Sequence, residues 1–164
     1  MRTRASVDVS ATPEVVWEFV ADPRHYLHFM SGVTRWSVVG EQERGLGARY
    51  RMLLRVGSAE VGGLIEIVEH KPERDLAWNS VTGVDQRGRW RIRERDGGGA
   101  KVELRLQYGV AGSGVFGWVA EHLAARTVRD HLQRSLRQLK RQVEHEQRRK
   151  EGERRRAARE ASTA

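Results

Sequence analysis

Apolar and polar residues alternate from the start of the chain. Thr3, Ala5, Val7 and Val9 fall on one side, against Arg2, Arg4, Ser6 and Asp8 on the other. That period of two is what a half-buried strand requires. Ser10-Ala11-Thr12-Pro13-Glu14 then carries helix-start chemistry. Thr12 can cap, Pro13 suits the first helical position, and Glu14 suits the positive end of the dipole. Val15, Val16, Phe19 and Val20, with Trp17, predict a short apolar helix ending near Asp22-Pro23. Residues Pro23 to Met30 predict a second short helix, pinned by Tyr26, Leu27 and Met30.

From Val33 to Val110 the period is mostly two, and the pattern predicts strands at 33–41, 48–57, 59–70, 76–83, 86–96 and 100–110. Gly45-Leu46-Gly47, Gly57-Ser58, residues 71–75, Gly83 and Asp96-Gly97-Gly98-Gly99 break them. Links this short favour antiparallel neighbours, because a parallel pair needs a long crossover. After Gly109 the rhythm changes: Phe116, Val119, Leu123, Val128, Leu132, Leu136, Leu139 and Val143 recur at three to five. They form one stripe on a helix of roughly thirty residues, about 115–146. Beyond Glu146 the stripe stops, and residues 148–164 hold no large apolar side chain. The domain is therefore expected to span 1–147, with 148–164 a basic tail that is disordered or a frayed continuation of the helix.

The order is one strand, two short helices, six strands and one long helix. This predicts an α+β fold in which a seven-stranded curved antiparallel sheet wraps around the C-terminal helix. Such a sheet leaves a space between the layers for side chains or a ligand.

The residues Ser10 to Pro23, Trp36, Gly45-Leu46-Gly47-Ala48, and Ile65 to Pro72 leading into Leu76-Ala77-Trp78 resemble the START/polyketide-cyclase superfamily (SRPBCC, Bet v 1-like), and its bacterial polyketide cyclase/dehydrase-like members in particular. The resemblance covers about residues 2–147. It implies the helix-grip fold and an apolar cavity for a small hydrophobic ligand, lipid-like, polyketide or aromatic. It also implies a cyclase or dehydratase as an alternative occupation of the same cavity. Catalysis there would be acid–base assistance to an enol or enolate by Tyr, Arg or His, with no particular residue indicated.

Strand alternation supplies candidates for the inner face. Trp36 and Val38, Tyr50, Met52, Leu54 and Val56, Ile65 and Ile67, Trp78, Trp90 and Ile92, and Val102, Leu104, Leu106, Tyr108 and Val110 share that phase. Leu64 and Val68 offer the opposite phase around Ile65. The ligand-binding candidates are Trp36, Tyr50, Met52, Leu54, Ile65, Trp78, Trp90, Ile92 and Tyr108, joined by Phe116 and Leu123 of the long helix. Packing alone also explains such a list, so the residues leave cavity and solid core both open.

Other chemistry is thinly represented. The chain has no cysteine, which excludes disulfides, thiolate catalysis and cysteine-bound metals. His25 and His28 are three apart but lack any metal-binding pattern around them. His122 and His131 fall on the long helix, and His70 and His145 read as exposed. Neither a nucleophile elbow nor a phosphate-binding loop is present, and no cofactor is indicated. No apolar run reaches the roughly 18–20 residues of a membrane helix, and residues 1–8 lack a signal-peptide core. A cytoplasmic protein of undetermined oligomeric state is expected.

The charge is +8, but half of that excess lies in residues 148–164, which hold seven Lys/Arg and three Asp/Glu. Arg87, Arg89, Arg91, Arg93 and Arg95 alternate with Trp90 and Ile92 as an outward ladder, which Arg49, Arg51, Arg55 and Arg105 extend on other strands. The ladder reads first as a solvated face with Glu103 and other carboxylates as partners. Its functional alternative is an interaction surface for an acidic protein or an anionic lipid surface. Nucleic acid is disfavoured, because no outward aromatics interleave the arginines for base stacking.

Overall fold

A computed structural model describes residues 1–109 and 115–163, with side chains described for 1–109 and 126–162. The elements are β1 (Arg2–Val9), α1 (Pro13–Val20), a 3-10 turn (Pro23–His25), α2 (Tyr26–Phe29), β2 (Val33–Val39), β3 (Arg49–Val56), β4 (Ala59–Lys71), β5 (Asp75–Gly83), β6 (Gln86–Glu94), β7 (Ala100–Tyr108) and α3 (Val115–Thr163). The strands form one sheet in the order β1-β7-β6-β5-β4-β3-β2, and every neighbouring pair is antiparallel. The sheet curls into a half-barrel around α3, the helix-grip arrangement.

Local chemistry sets these elements. Thr12 caps α1 by accepting a hydrogen bond from the Val15 backbone N–H at 3.4 Å, with Pro13 in the first turn. Asp22 caps the 3-10 turn in the same way through the Arg24 N–H at 3.0 Å. Curvature comes with breaks in register between Val33 and Arg35, Leu64 and Ile65, and Ile67 and Glu69, since an extra residue in one strand bends and twists it. Of the two breaks between β4 and β5, one is an extra residue in β5 at Val81 and the other an extra residue in β4 at Val68; Ile65 and Ile67 are buried, and Val68 is exposed.

Residues of the inner phase and the α3 stripe from Val128 to Val143 form one core. Three expectations fail in detail. Leu27 is 52% exposed, because Tyr26, Phe29 and Met30 take the inward side of the short helix. Val38 is 37% exposed, because β2 is an edge strand and only Trp36 along it is buried. His70 is half-buried, its ring edge-on to Trp17 with centroids 5.0 Å apart.

The helix α3 runs well beyond the end of its apolar stripe, through to Thr163. Arg, Glu, Lys and Ala, which dominate this stretch, are strong helix formers. Arg149 adds ion pairs to Glu146 and Glu153 along the same helix. The middle of α3 is tied to the turn after β1. Lys140 Nζ donates to the Asp8 carbonyl at 2.6 Å, Glu144 accepts from the Ser10 N–H at 2.9 Å, and Gln147 accepts from the Thr12 N–H at 3.2 Å. Lys150 then pairs with Glu18 of α1 at 2.6 Å.

Candidate functional site

The space between sheet and helix has two unlike ends. At one, aromatic rings pack solidly. Tyr26 stacks on Trp36 with centroids 4.0 Å apart, Tyr50 lies 5.7 Å from Trp36, Trp78 meets Trp36 edge-on at 6.2 Å, and Phe29 meets Trp90 edge-on at 6.0 Å. Ile65 and Ile92 are buried in the same core. The phenols here are committed to backbone: Tyr26 donates to the Val20 carbonyl and Tyr50 to the Glu43 carbonyl, each at 2.7 Å. Burial pushes the Tyr50 phenol up to about 12 and raises Tyr26 as well. Both stay protonated at neutral pH and serve packing. The voids bordered by these rings measure only about 10 Å³ (Tyr26, Tyr50) and 20 Å³ (Trp78).

At the other end lies a half-open cavity of about 310 Å³. The distal half of β3 contributes Met52, Leu54 and Val56, and the adjoining end of β4 contributes Val61 and Gly62. The β5–β6 turn and β6 supply Val84 and Gln86, β7 supplies Leu106 and Tyr108, and α3 supplies Val128. Close backbone approach keeps part of this wall bare. A Cβ on Gly62 would stand 2.0 Å from the Met52 carbonyl oxygen, and one on Gly83 2.2 Å from that of Gly62.

Of the sequence-derived candidates, the structure brings Met52, Leu54 and Tyr108 to the cavity. Trp36, Tyr50, Ile65, Trp78, Trp90 and Ile92 belong to the packed end, and the side chains of Phe116 and Leu123 lie outside the described residues, as does that of His122. The ligand-binding candidates left out Val56 and Leu106, which the inner-face candidates included, Val128 of the α3 stripe, and Val61, Val84 and Gln86. Gln86 had a legible signal: it shares the inner phase of β6 with Trp90 and Ile92 and is the buried polar residue there.

The described lining offers little polar chemistry. Gln86 is buried, and its side-chain amide donates to Met52 Sδ at 3.6 Å, while its backbone N–H donates to Ser80 Oγ at 3.1 Å. Tyr108 Oη donates to Met1 Sδ at 3.2 Å. No Asp, Glu, His, Lys or Arg occurs among the described lining residues.

Three described histidines, His25, His70 and His131, sit in structural roles. His25 stacks on Phe19 with centroids 4.6 Å apart, His28 is exposed, and no metal-binding group occurs among the described residues. His131 lies 3.2 Å from Ser31 Oγ through Nδ1 and 3.2 Å from the Arg55 carbonyl through Nε2. With the proton on Nε2, the ring donates to Arg55 and accepts from Ser31, so the neutral form satisfies both partners. Burial, reinforced by the Arg134 charge, lowers its pKa. Its ring occupies the place of a Gly32 side chain, where a Cβ would stand 2.5 Å away. His131 therefore fastens α3 to the chain between α2 and β3.

The outward arginines are largely neutralised within the fold. Register sets Asp75 opposite Arg91, and Arg93, Arg91 and Arg89 converge on this buried carboxylate at 3.0, 3.5 and 3.8 Å. Arg89 also pairs with Glu69 at 2.5 Å, and Arg95 with Asp8 at 3.6 Å. Arg87 instead joins Arg2, Arg4 and Arg105 along an outer concavity, mostly polar in its residues.

A curled antiparallel sheet gripping one helix over an apolar cavity defines the class of this protein. The family model for polyketide cyclase/dehydrase and lipid transport proteins matches residues 1–144, and the chain belongs to that family. Membership supports a ligand-binding or cyclase role. Solved structures share the fold. A protein from Thermus thermophilus is 23% identical with a TM-score of 0.75, covering 87% of this chain and 97% of its own. The Zhui aromatase/cyclase from Streptomyces sp. R1128 is 19% identical with a TM-score of 0.74, over 88% of this chain and 93% of its own. A START superfamily protein from Mycobacterium smegmatis is 15% identical with a TM-score of 0.67, over 87% and 98%. No curated protein matches the sequence. Among the described residues, no helix is long and apolar enough to cross a membrane.

Proposed function

We propose that this chain binds one small hydrophobic molecule, aromatic, polyketide or lipid-like, in the cavity between β3, β4, β6, β7 and α3. The observation that carries the proposal is a cavity of about 310 Å³ with almost wholly apolar walls beside a core packed without comparable voids. An engineered apolar cavity of roughly 150 Å³ holds a benzene ring, so this one suits a ligand of about ten carbons, and the half-open mouth lets a longer chain extend outward. Binding outranks cyclisation because the described lining holds no carboxylate, imidazole or cationic group to move a proton, and its one phenol, that of Tyr108, already donates to Met1 Sδ. The aromatase/cyclase likeness is one of fold, at 19% identity.

Titration calorimetry with 2-isopropenylnaphthalene and 1-decanol tests the reading. One-to-one binding is expected for both, weakened by Leu54→Trp. No binding by these probes or by longer aliphatic alcohols overturns it.

A further inference from the structure

Gln86 is the one side chain in the described cavity wall whose chemistry the fold leaves unused. It opens β6 in the inward phase, it is only 5% exposed, and it lines the cavity among Met52, Leu54, Leu106 and Val128. A carboxamide has two donors and a carbonyl acceptor with two lone pairs. Among the described residues, the only hydrogen bond of this one is donated by Nε2 to Met52 Sδ at 3.6 Å, and a thioether is a weak acceptor. A buried amide with so little compensation destabilises the fold. Leucine or methionine would fill the same place without that cost, so packing does not account for the glutamine.

We infer that Gln86 is the polar anchor of the cavity and selects hydrophobic ligands that carry an uncharged oxygen, a ketone or hydroxyl, over hydrocarbons of the same shape. This rests on the proposed ligand-binding reading and adds the class of ligand. An amide that turns either its N–H or its C=O toward the space serves a carbonyl or a hydroxyl equally. The described wall supplies no cation, so a carboxylate buried against Gln86 would lack a counter-charge. The expected ligand is apolar over most of its surface, with one neutral oxygen placed at the β6 wall beside Met52.

The experiment compares 2-acetonaphthone with 2-isopropenylnaphthalene, which replaces the ketone oxygen by a methylene group. Affinities for both are measured on the full chain and on the variants Gln86→Leu and Gln86→Met. The ketone-to-hydrocarbon affinity ratio is expected to fall about tenfold in each variant, the usual effect of one hydrogen bond in a dry site. Taking this as a ratio of ratios removes the different solubilities of the probes. The side-chain amide resonances of Gln86 in the unaltered protein give a readout independent of variant folding. They should shift with the ketone and stay nearly fixed with the hydrocarbon. An unchanged ratio, or amide resonances that respond alike to both probes, overturns the role of Gln86 and leaves the cavity reading standing. Failure of both probes and of the aliphatic alcohols to bind the unaltered protein overturns the cavity reading, and this inference with it.

Discussion

Enlarging a side chain should cost far less at the open end of the interior than at the packed end. Leu54 borders the cavity of about 310 Å³, whereas Leu104 is buried beside a void of only about 20 Å³. Replacing leucine by tryptophan adds about 60 Å³ of side chain. At position 54 that volume enters existing space and takes about a fifth of it. At position 104 it exceeds the available void about threefold, so neighbouring side chains must leave their rotamers. Leu54→Trp is therefore expected to cost less than about 1 kcal/mol, and Leu104→Trp about 3 kcal/mol, the upper end of ordinary overpacking. Urea unfolding of both variants beside the parent protein measures the difference, and unchanged slopes confirm that the unfolded reference is the same. Leu54→Trp should also weaken a naphthalene-sized ligand about tenfold, since the ring and the new indole compete for one space. Equal destabilisation by the two substitutions would refute the reasoning, because it would mean that the wall around Leu54 is as closely packed as the core.

Other expectations follow from particular contacts. A Cβ on Gly88 would lie 1.9 Å from Trp78 Cζ2, and Trp78 is only 1% exposed, so Gly88→Ala should lower stability by about 3 kcal/mol in urea unfolding; a loss below about 0.5 kcal/mol would show that the indole moves freely. At Asp22, burial pushes the carboxyl pKa up, but hydrogen bonds from the Arg24 side chain and backbone and the charges of Arg44 and Arg24 outweigh it and hold it below the ordinary value. A depressed folded-state pKa gives stability that is present above the unfolded value, near 3.9, and lost as pH falls through the folded one. Asp22→Ala should cost about 1–2 kcal/mol at pH 6, and its melting curve should converge on the parent's as pH falls below about 4; a difference that widens on acidification contradicts this sign. Removing residues 151–164 keeps the Lys150–Glu18 pair and deletes only exposed or half-buried polar, glycine and alanine positions in the described part, so Tm should change by no more than about 2 °C and heparin retention should fall. A much larger drop in Tm would make the segment structural.

Much of the fold was legible because strands and helices have different periods. The alternation of Trp90 and Ile92 with arginines on β6, and of Val102 through Tyr108 on β7, fixes the inward face without knowledge of the partners. The interval of three or four in Leu132, Leu136, Leu139 and Val143 does the same for α3. In β4 alternation was ambiguous, and the burial of Ile65 and Ile67, with Val68 set out of line as an extra residue, shows which phase is inside. The cavity was harder to see because alternation identifies a face but not a position along it. Tyr50 and Leu54 share the inward phase of β3, yet four residues of strand separate them by about 13 Å. One lies in the aromatic packing and the other beside open space. The convergence of three arginines on Asp75 depends on cross-strand register, which the spacing of charges within β6 does not contain. The length of α3 stayed open between disorder and a continued helix for a different reason: past Val143, helix propensity and ion pairs sustain it where burial no longer does.

The chain has three methionines, and Met52 is the one that lines the 310 Å³ cavity, which makes its methyl resonance the most direct test of the central claim. With methionine methyl groups labelled with carbon-13, titration with 2-acetonaphthone should shift the Met52 methyl signal progressively and saturably, with a one-to-one end point. The Met30 methyl, on the small void near His131, should move much less, and Leu54→Trp should weaken the titration. A ligand that binds while the Met52 signal stays fixed would contradict the account, because the binding site would then lie outside the cavity.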